Sequence, residues 1–217
     1  MATVLEPAKK IAGESRFLIS SIDWPTYEAI LKALGDRPTR LTYDGGSLEF
    51  MSPSPAHERY QRMFDRLFGV LSFELRLPIV FGGSLTFDRQ DMDRGLEADG
   101  CYWIQNERAV RSKLDFDPAS DPPPDLAIEI EISRSALDRL AISARLRIPE
   151  VWRFDGESLN IHLLQPDGTY SESSTSRCLP ALPVAELAQL LQPEELVDEG
   201  TRIWEFVEPV RARFHRH

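Results

Sequence analysis

The stretch Asp121–Ser133, DPPPDLAIEIEIS, decides how the rest of the chain is read. Side chains on a strand alternate between faces, so Leu126, Ile128, Ile130 and Ile132 point one way and Glu129 and Glu131 the other. Two neighbouring carboxylates on a strand with so apolar a back suit a metal site or a general base. An amphipathic strand with one solvated face has the same pattern, so the surrounding residues must separate the two.

A chain of 217 residues, 42% hydrophobic and 28% charged, can bury one sizeable core. Residues 1–14 are polar and without a period, which reads as a flexible arm. Residues 15–217 then form a single domain that ends in a helical extension. No apolar run approaches the roughly 20 residues that span a bilayer, and the N-terminus lacks the apolar core of a secretory signal. The expected location is the cytoplasm, with no membrane partner. Cys101 and Cys178 are too few for a disulfide framework and lack zinc-ligand spacing, so both read as reduced packing residues. A net charge of -10 argues against tight, indiscriminate nucleic-acid binding, which Lys and Arg supply. It leaves room for a nuclease, whose own carboxylates lower the net charge and whose bound cations offset it locally.

The segment SSIDWPTYEAILKALG carries a cap at Ser21 or Asp23, Pro25 in the first turn and Gly35 as a stop, the marks of a short helix. Asp44-Gly45-Gly46 is hairpin chemistry between two short strands. From His57 to Leu75, Tyr60, Met63, Phe64, Leu67, Leu71 and Leu75 recur at helical spacing and predict a core helix. Strands are expected over Pro78–Asp88, Glu97–Gln105 and Pro124–Ser133, followed by a helix in SALDRLAISARLRIPE. Strands about Asp155-Gly156 and after Asp167-Gly168 come next, then helices in VAELAQLL and IWEFVEPVRARF. The closing His215–His217 reads as a solvated tail. The order predicts an α/β (α+β) domain with a central mixed sheet flanked by helices.

The strand LEADGCYWI places Asp99 near the start of an aromatic-rich segment. Beside the Glu129 strand, Asp99, Glu129 and the carbonyl of Ile130 would make a hard, oxygen-only site for Mg²⁺ or Mn²⁺. The plain alternative is an aspartate that merely starts a strand. Arg139, in the helix after the Glu strand, could reach back to bind a phosphate, or could be solvated and paired with Asp138 or Asp121. His57, at the start of the core helix, could face the same cleft or serve as a structural hydrogen-bonder.

The succession LEADGCYWI, PPPDLAIEIEIS, SALDRL and IPEVWRFDG, with MSPSPAHE upstream, resembles the Uma-two family of restriction-endonuclease-like proteins, a branch of the PD-(D/E)XK nuclease superfamily. The likeness covers roughly Trp24 to Leu164. It implies a restriction-endonuclease-like core, a divalent metal at the sheet edge, and a DNA substrate. Residue by residue, the motif aspartate falls on Asp99, the motif glutamate on Glu129 and the helix-start histidine on His57. The chain departs from the pattern at Ala98, where Pro is usual, and at Glu131, where the superfamily's lysine would stand. The displaced lysine position is Arg139, Ser143 replaces a common Tyr, and Arg147 a common Gly. An arginine can clamp a phosphate but stays protonated, so it cannot deprotonate water as a lysine of shifted pKa can.

Residues and resemblance together lead to the expectation of an endonuclease in which Asp99, Glu129 and the Ile130 carbonyl hold Mg²⁺ or Mn²⁺, Glu131 orients or deprotonates the attacking water and Arg139 stabilises the phosphate. The alternative is a catalytically silent homodimer that keeps the fold as a nucleic-acid or protein interaction module.

Overall fold

A computed structural model of the chain describes residues 12–35 and 37–214. The described residues build a nine-stranded sheet: β1 (Ser15–Ser20), β2 (Arg40–Asp44), β3 (Ser47–Ser52), β4 (Val80–Arg89), β5 (Arg94–Trp103), β6 (Leu126–Ile130), β7 (Glu150–Phe154), β8 (Leu159–Leu164) and β9 (Tyr170–Ser173). They are ordered β1-β3-β2-β5-β6-β7-β8-β9, with β4 also on β5. Only β6 and β7 pair in parallel, so the sheet is mixed. That parallel pair needs a crossover, which α4 (Arg139–Arg145) supplies.

The remaining helices are α1 (Trp24–Leu34), α2 (Pro55–Leu75), the one-turn α3 (Glu107–Val110), α5 (Val184–Leu191) and α6 (Glu199–Phe214). Asp23 caps α1 by accepting from Thr26 N at 3.0 Å, and Ser54 caps α2 by accepting from His57 N at 3.2 Å. Gly45 and Gly46 both take positive φ in the β2–β3 turn, as a two-residue hairpin turn requires.

The sheet is covered on both faces. On one, Tyr60, Phe64, Leu67, Phe68 and Leu71 of α2 pack with Ile128, Ile130, Trp152 and Phe154, and α5 and α6 extend this layer through Leu187, Leu190, Ile203 and Val207. Each such side chain contributes roughly 1.5–3 kcal/mol by leaving water, which makes this layer the main source of stability. On the other face Ile142, Leu146 and Ile148 cover Leu96, Ala98, Cys101, Ala127 and Val151. In α6, Ile203, Phe206 and Val207 are internal packing, while Trp204 is 60% exposed. Both cysteines are buried and free. No helix among the described residues is long and apolar enough to cross a membrane.

Three boundaries differ from expectation for local reasons. The β6 strand ends at Ile130: Glu131 N still donates to the Phe154 carbonyl at 2.9 Å, but the amides beyond it turn away, as Ile132 N and Ser133 N donate to the Glu14 carboxylate at 3.1 and 2.5 Å. Helix α4 begins at Arg139 and not at Ser135, whose hydroxyl is bound to Glu49. It closes after one further turn, where Arg147 takes a φ of +62°. Strand β1 was not anticipated. Most of the expected N-terminal arm and the His215–His217 tail lie outside the described residues, whereas Glu14 is buried against the β6–α4 loop.

Candidate functional site

Strand β5 keeps β4 along one edge but changes partner along the other. Its residues 94–96 pair with Asp44, Tyr43 and Thr42 of β2, and its residues 100–102 pair with Ile128, Ala127 and Leu126 of β6. Glu97, Ala98 and Asp99 lie in the fork where β2 and β6 part. On the β4 side, Leu85 faces Ala98 and Gly83 faces Cys101, so β5 carries an extra residue at Asp99-Gly100. Such a bulge re-aims a side chain, and Asp99 is the one re-aimed.

Backbone groups in the fork have no ladder, and side chains take their place. Leu41 N donates to Glu97 Oε2 at 2.5 Å, and Arg139 Nη2 donates to the Glu97 carbonyl at 2.9 Å. Ile130 N donates to Asp99 Oδ2 at 2.6 Å, and Gln61 Nε2 to the Asp99 carbonyl at 2.5 Å. Asp99, Ile130 and Arg139 of the sequence candidates therefore meet at a break in the sheet.

Asp99 is buried, and its Oδ1 accepts from Arg40 Nη1. Arg40 is itself buried, and its Nη2 donates to Gln61 Oε1 at 2.9 Å and lies 3.8 Å from Glu58. His57 is fully buried with Nε2 3.3 Å from Asp99 Oδ1, yet neither ring nitrogen makes a hydrogen bond among the described residues. Burial, then the cations Arg40, Arg16 and Arg139, push its pKa down to about 3, and only the Ile130 carbonyl favours the charged form. At neutral pH His57 is uncharged, so its contact with Asp99 is not an ion pair.

Glu129 is buried on the α4 side, as Ile128 and Ile130 face α2. Arg139, itself buried, donates Nε to Glu129 Oε2 at 2.7 Å and adds Nη2 to the same oxygen, while its Nη1 reaches Thr42 Oγ1 at 2.6 Å. Arg139 is therefore neither solvated nor paired with Asp138 or Asp121. Among the described residues Glu129 Oε1 is left buried without a partner.

Glu131 stands apart from these groups. Its oxygens accept from Ser135 N at 3.1 Å and Arg153 Nη2 at 2.5 Å. It belongs to a staple in which Arg16 donates to Glu49 at 2.6 Å and to the Ser133 carbonyl at 2.9 Å, and Glu49 accepts from Ala136 N at 2.7 Å. This staple fixes the loop between Glu129 and Arg139. A larger cleft of about 850 Å³, between α4 and the β8–β9 turn, holds none of the fork's acids.

A family model described as "Uma2: Putative restriction endonuclease" matches residues 24–196. The chain belongs to the Uma2 family. Among curated proteins none matches it. A solved structure titled as "a putative nuclease belonging to DUF820 from Anabaena variabilis ATCC 29413" aligns at 12% identity over 86% of this chain and 97% of that one, with a TM-score of 0.47.

In this Uma2 chain the fork also contains residues that the sequence did not single out: Arg40, Thr42, Gln61 and Glu97. Two of them left a signal. Glu97 precedes Asp99 by two, and Gln61 follows His57 by four on one face of α2. Arg40 and Thr42 arrive by strand pairing alone.

The donors suit a hard divalent cation in kind. Asp99, Glu129 and the Ile130 carbonyl are oxygen ligands, and an unpartnered buried carboxylate oxygen such as Glu129 Oε1 is costly unless something binds it. Arg40, on Asp99 Oδ1, is the feature set against it. With Arg139 it brings the two carboxylates to local neutrality.

Proposed function

We propose that this Uma2 chain hydrolyses DNA phosphodiester bonds at the fork, with Asp99, Glu129 and the Ile130 carbonyl as the ligands of Mg²⁺ or Mn²⁺ and a homodimer as the acting form. The observation that carries the reading is Glu129 Oε1, buried without a partner among the described residues at the break in the sheet that also holds Asp99. When bound, the ion would supply a water of lowered pKa and stabilise charge developing on the phosphate.

The chain's own groups set what else happens there. Arg139, fixed by Glu129, Thr42 and the Glu97 carbonyl, offers a permanent positive charge to a phosphate but takes up no proton. His57, neutral at physiological pH, has one ring nitrogen to accept a hydrogen bond and one N–H to donate, but no imidazolium proton to give as a general acid. Glu131, held by Arg153 and Ser135, serves the loop and not the chemistry.

Plasmid cleavage in Mg²⁺ or Mn²⁺ tests the reading: Asp99→Asn and Glu129→Gln should each lose at least a hundredfold in rate. Undiminished cleavage in both variants excludes the fork. The silent reading draws on one observation, the pairing of both acids with arginines. Activity that appears only in Arg139→Lys would favour it.

A further inference from the structure

Arg40 separates Asp99 from an open cleft of about 460 Å³. The cleft is lined by Arg37, Gln61, Arg62 and Ser84 as well as by Arg40 itself. Three acids also line it: Glu97 accepts from Leu41 N and from Thr86 Oγ1 at 3.1 Å, Asp65 accepts from the Tyr102 hydroxyl at 2.9 Å, and the part-exposed Glu58 lies 3.8 Å from Arg40 Nη2. Arg37 and Arg62 are exposed and have no side-chain partner among the described residues. The cleft therefore presents two unpaired guanidiniums, with a third behind them turned inward onto Asp99.

We propose that Arg40 is a latch that a nucleic-acid phosphate opens. In the free protein it neutralises Asp99 and opposes a divalent cation there. A backbone phosphate entering between Arg37 and Arg62 offers the planar Arg40 guanidinium two oxygens for a bidentate contact, the geometry it prefers. Nη2 already faces that way, toward Gln61 and Glu58, so the change asked of the side chain is a turn of its inner nitrogen off Asp99 Oδ1. Asp99 is then free to bind the ion. This inference rests on the metal-dependent reading above and adds to it that metal and nucleic acid bind cooperatively. Linkage makes the effect reciprocal: each raises the other's affinity by the same factor.

The test is calorimetric titration of Mn²⁺ into the full chain, alone and with a phosphorothioate-linked DNA duplex that resists cleavage. The duplex should tighten Mn²⁺ binding at least tenfold. Arg40→Gln should tighten it at least tenfold with no duplex present, and the duplex should then add little. An Arg40→Gln variant that binds Mn²⁺ no better than the parent overturns the latch. Should that variant not fold, equal Mn²⁺ affinity of the parent with and without duplex overturns it as well. Mn²⁺ binding that Asp99→Asn abolishes, but that neither duplex nor Arg40→Gln changes, removes the latch and leaves the nuclease reading standing. An absence of Mn²⁺ binding in every arm removes both.

Discussion

Asp125, the residue just before β6, and Glu129, near its far end, are both buried, and the protein treats them differently. Asp125 accepts from Ile104 N at 2.7 Å, Asn106 N at 2.9 Å and Asn106 Nδ2 at 2.7 Å, so both of its oxygens are claimed by neutral donors that fix the chain leaving β5. Glu129 gives one oxygen to a buried guanidinium, and its other oxygen has no partner among the described residues. A carboxylate satisfied by backbone amides is doing structural work. One held by a single cation, with a bare oxygen, keeps capacity in reserve at a cost in stability.

Stability measurements can break this comparison. Glu129→Ala leaves Arg139 buried with only Thr42 and the Glu97 carbonyl, and should cost about 3–5 kcal/mol in urea unfolding. Replacing the pair together, Glu129→Leu with Arg139→Met, should return stability to within about 1 kcal/mol of the parent, because an apolar pair has no charge to desolvate. Asp125→Ala should cost about 2–4 kcal/mol, for the stranded Ile104 and Asn106 amides. No exchange of side chains recovers that loss in full, since two of the three donors are backbone N–H groups. If the double variant stays as unstable as Glu129→Ala, the Glu129 end is as structural as the Asp125 end.

The sequence made the acids visible and hid what holds them. Alternation in LAIEIEIS and the position of Asp99 are local patterns, and helix spacing was enough to place His57 on α2. The fork is not local: it exists because β5 exchanges β2 for β6 between Leu96 and Gly100, a pairing that no period in the sequence encodes. Arg40 and Thr42 become site residues only through that exchange. Alternation also grouped Glu131 with Glu129, because the pattern continues for two residues after the strand has stopped at Ile130. Strand β1 was hidden for a related reason. At the sheet edge, Phe17 and Leu18 are both exposed, and the alternation that marks a half-buried strand is missing.

His57 offers a second, smaller way to sharpen the contrast between bare and satisfied groups. Its pKa in the folded protein is about 3, below the ordinary 6.5, so between these values the unfolded chain binds a proton that the folded chain refuses. Stability from this residue is complete above pH 6.5 and is lost as the pH falls below it, at about 1.4 kcal/mol per pH unit. His57→Gln should remove that slope, and unfolding measured at intervals from pH 7 to pH 4 would reveal it. Equal slopes in parent and variant would mean that the imidazole is not held neutral against Asp99, and the bare nitrogens would lose their significance.

The smallest effect concerns the helix that carries Arg139 to Glu129. Helix α4 ends as Arg147 N donates to the Ala144 carbonyl at 3.1 Å and Ile148 N to the Ser143 carbonyl at 3.2 Å, a closure that puts Arg147 in the left-handed region. A side chain there strains against its own carbonyl, whereas glycine does not, although glycine also gains freedom in the unfolded chain. Arg147→Gly should therefore stabilise the protein by about 0.5–1 kcal/mol in the same urea assay. The change lies eight residues beyond Arg139 and leaves the Glu129 contact untouched, so the cost of Glu129→Ala should be the same in either background. A cost that changes with residue 147 would tie the bare carboxylate to the strain in its supporting helix, and the two ends of β6 would then differ in their backbone as well as in their partners.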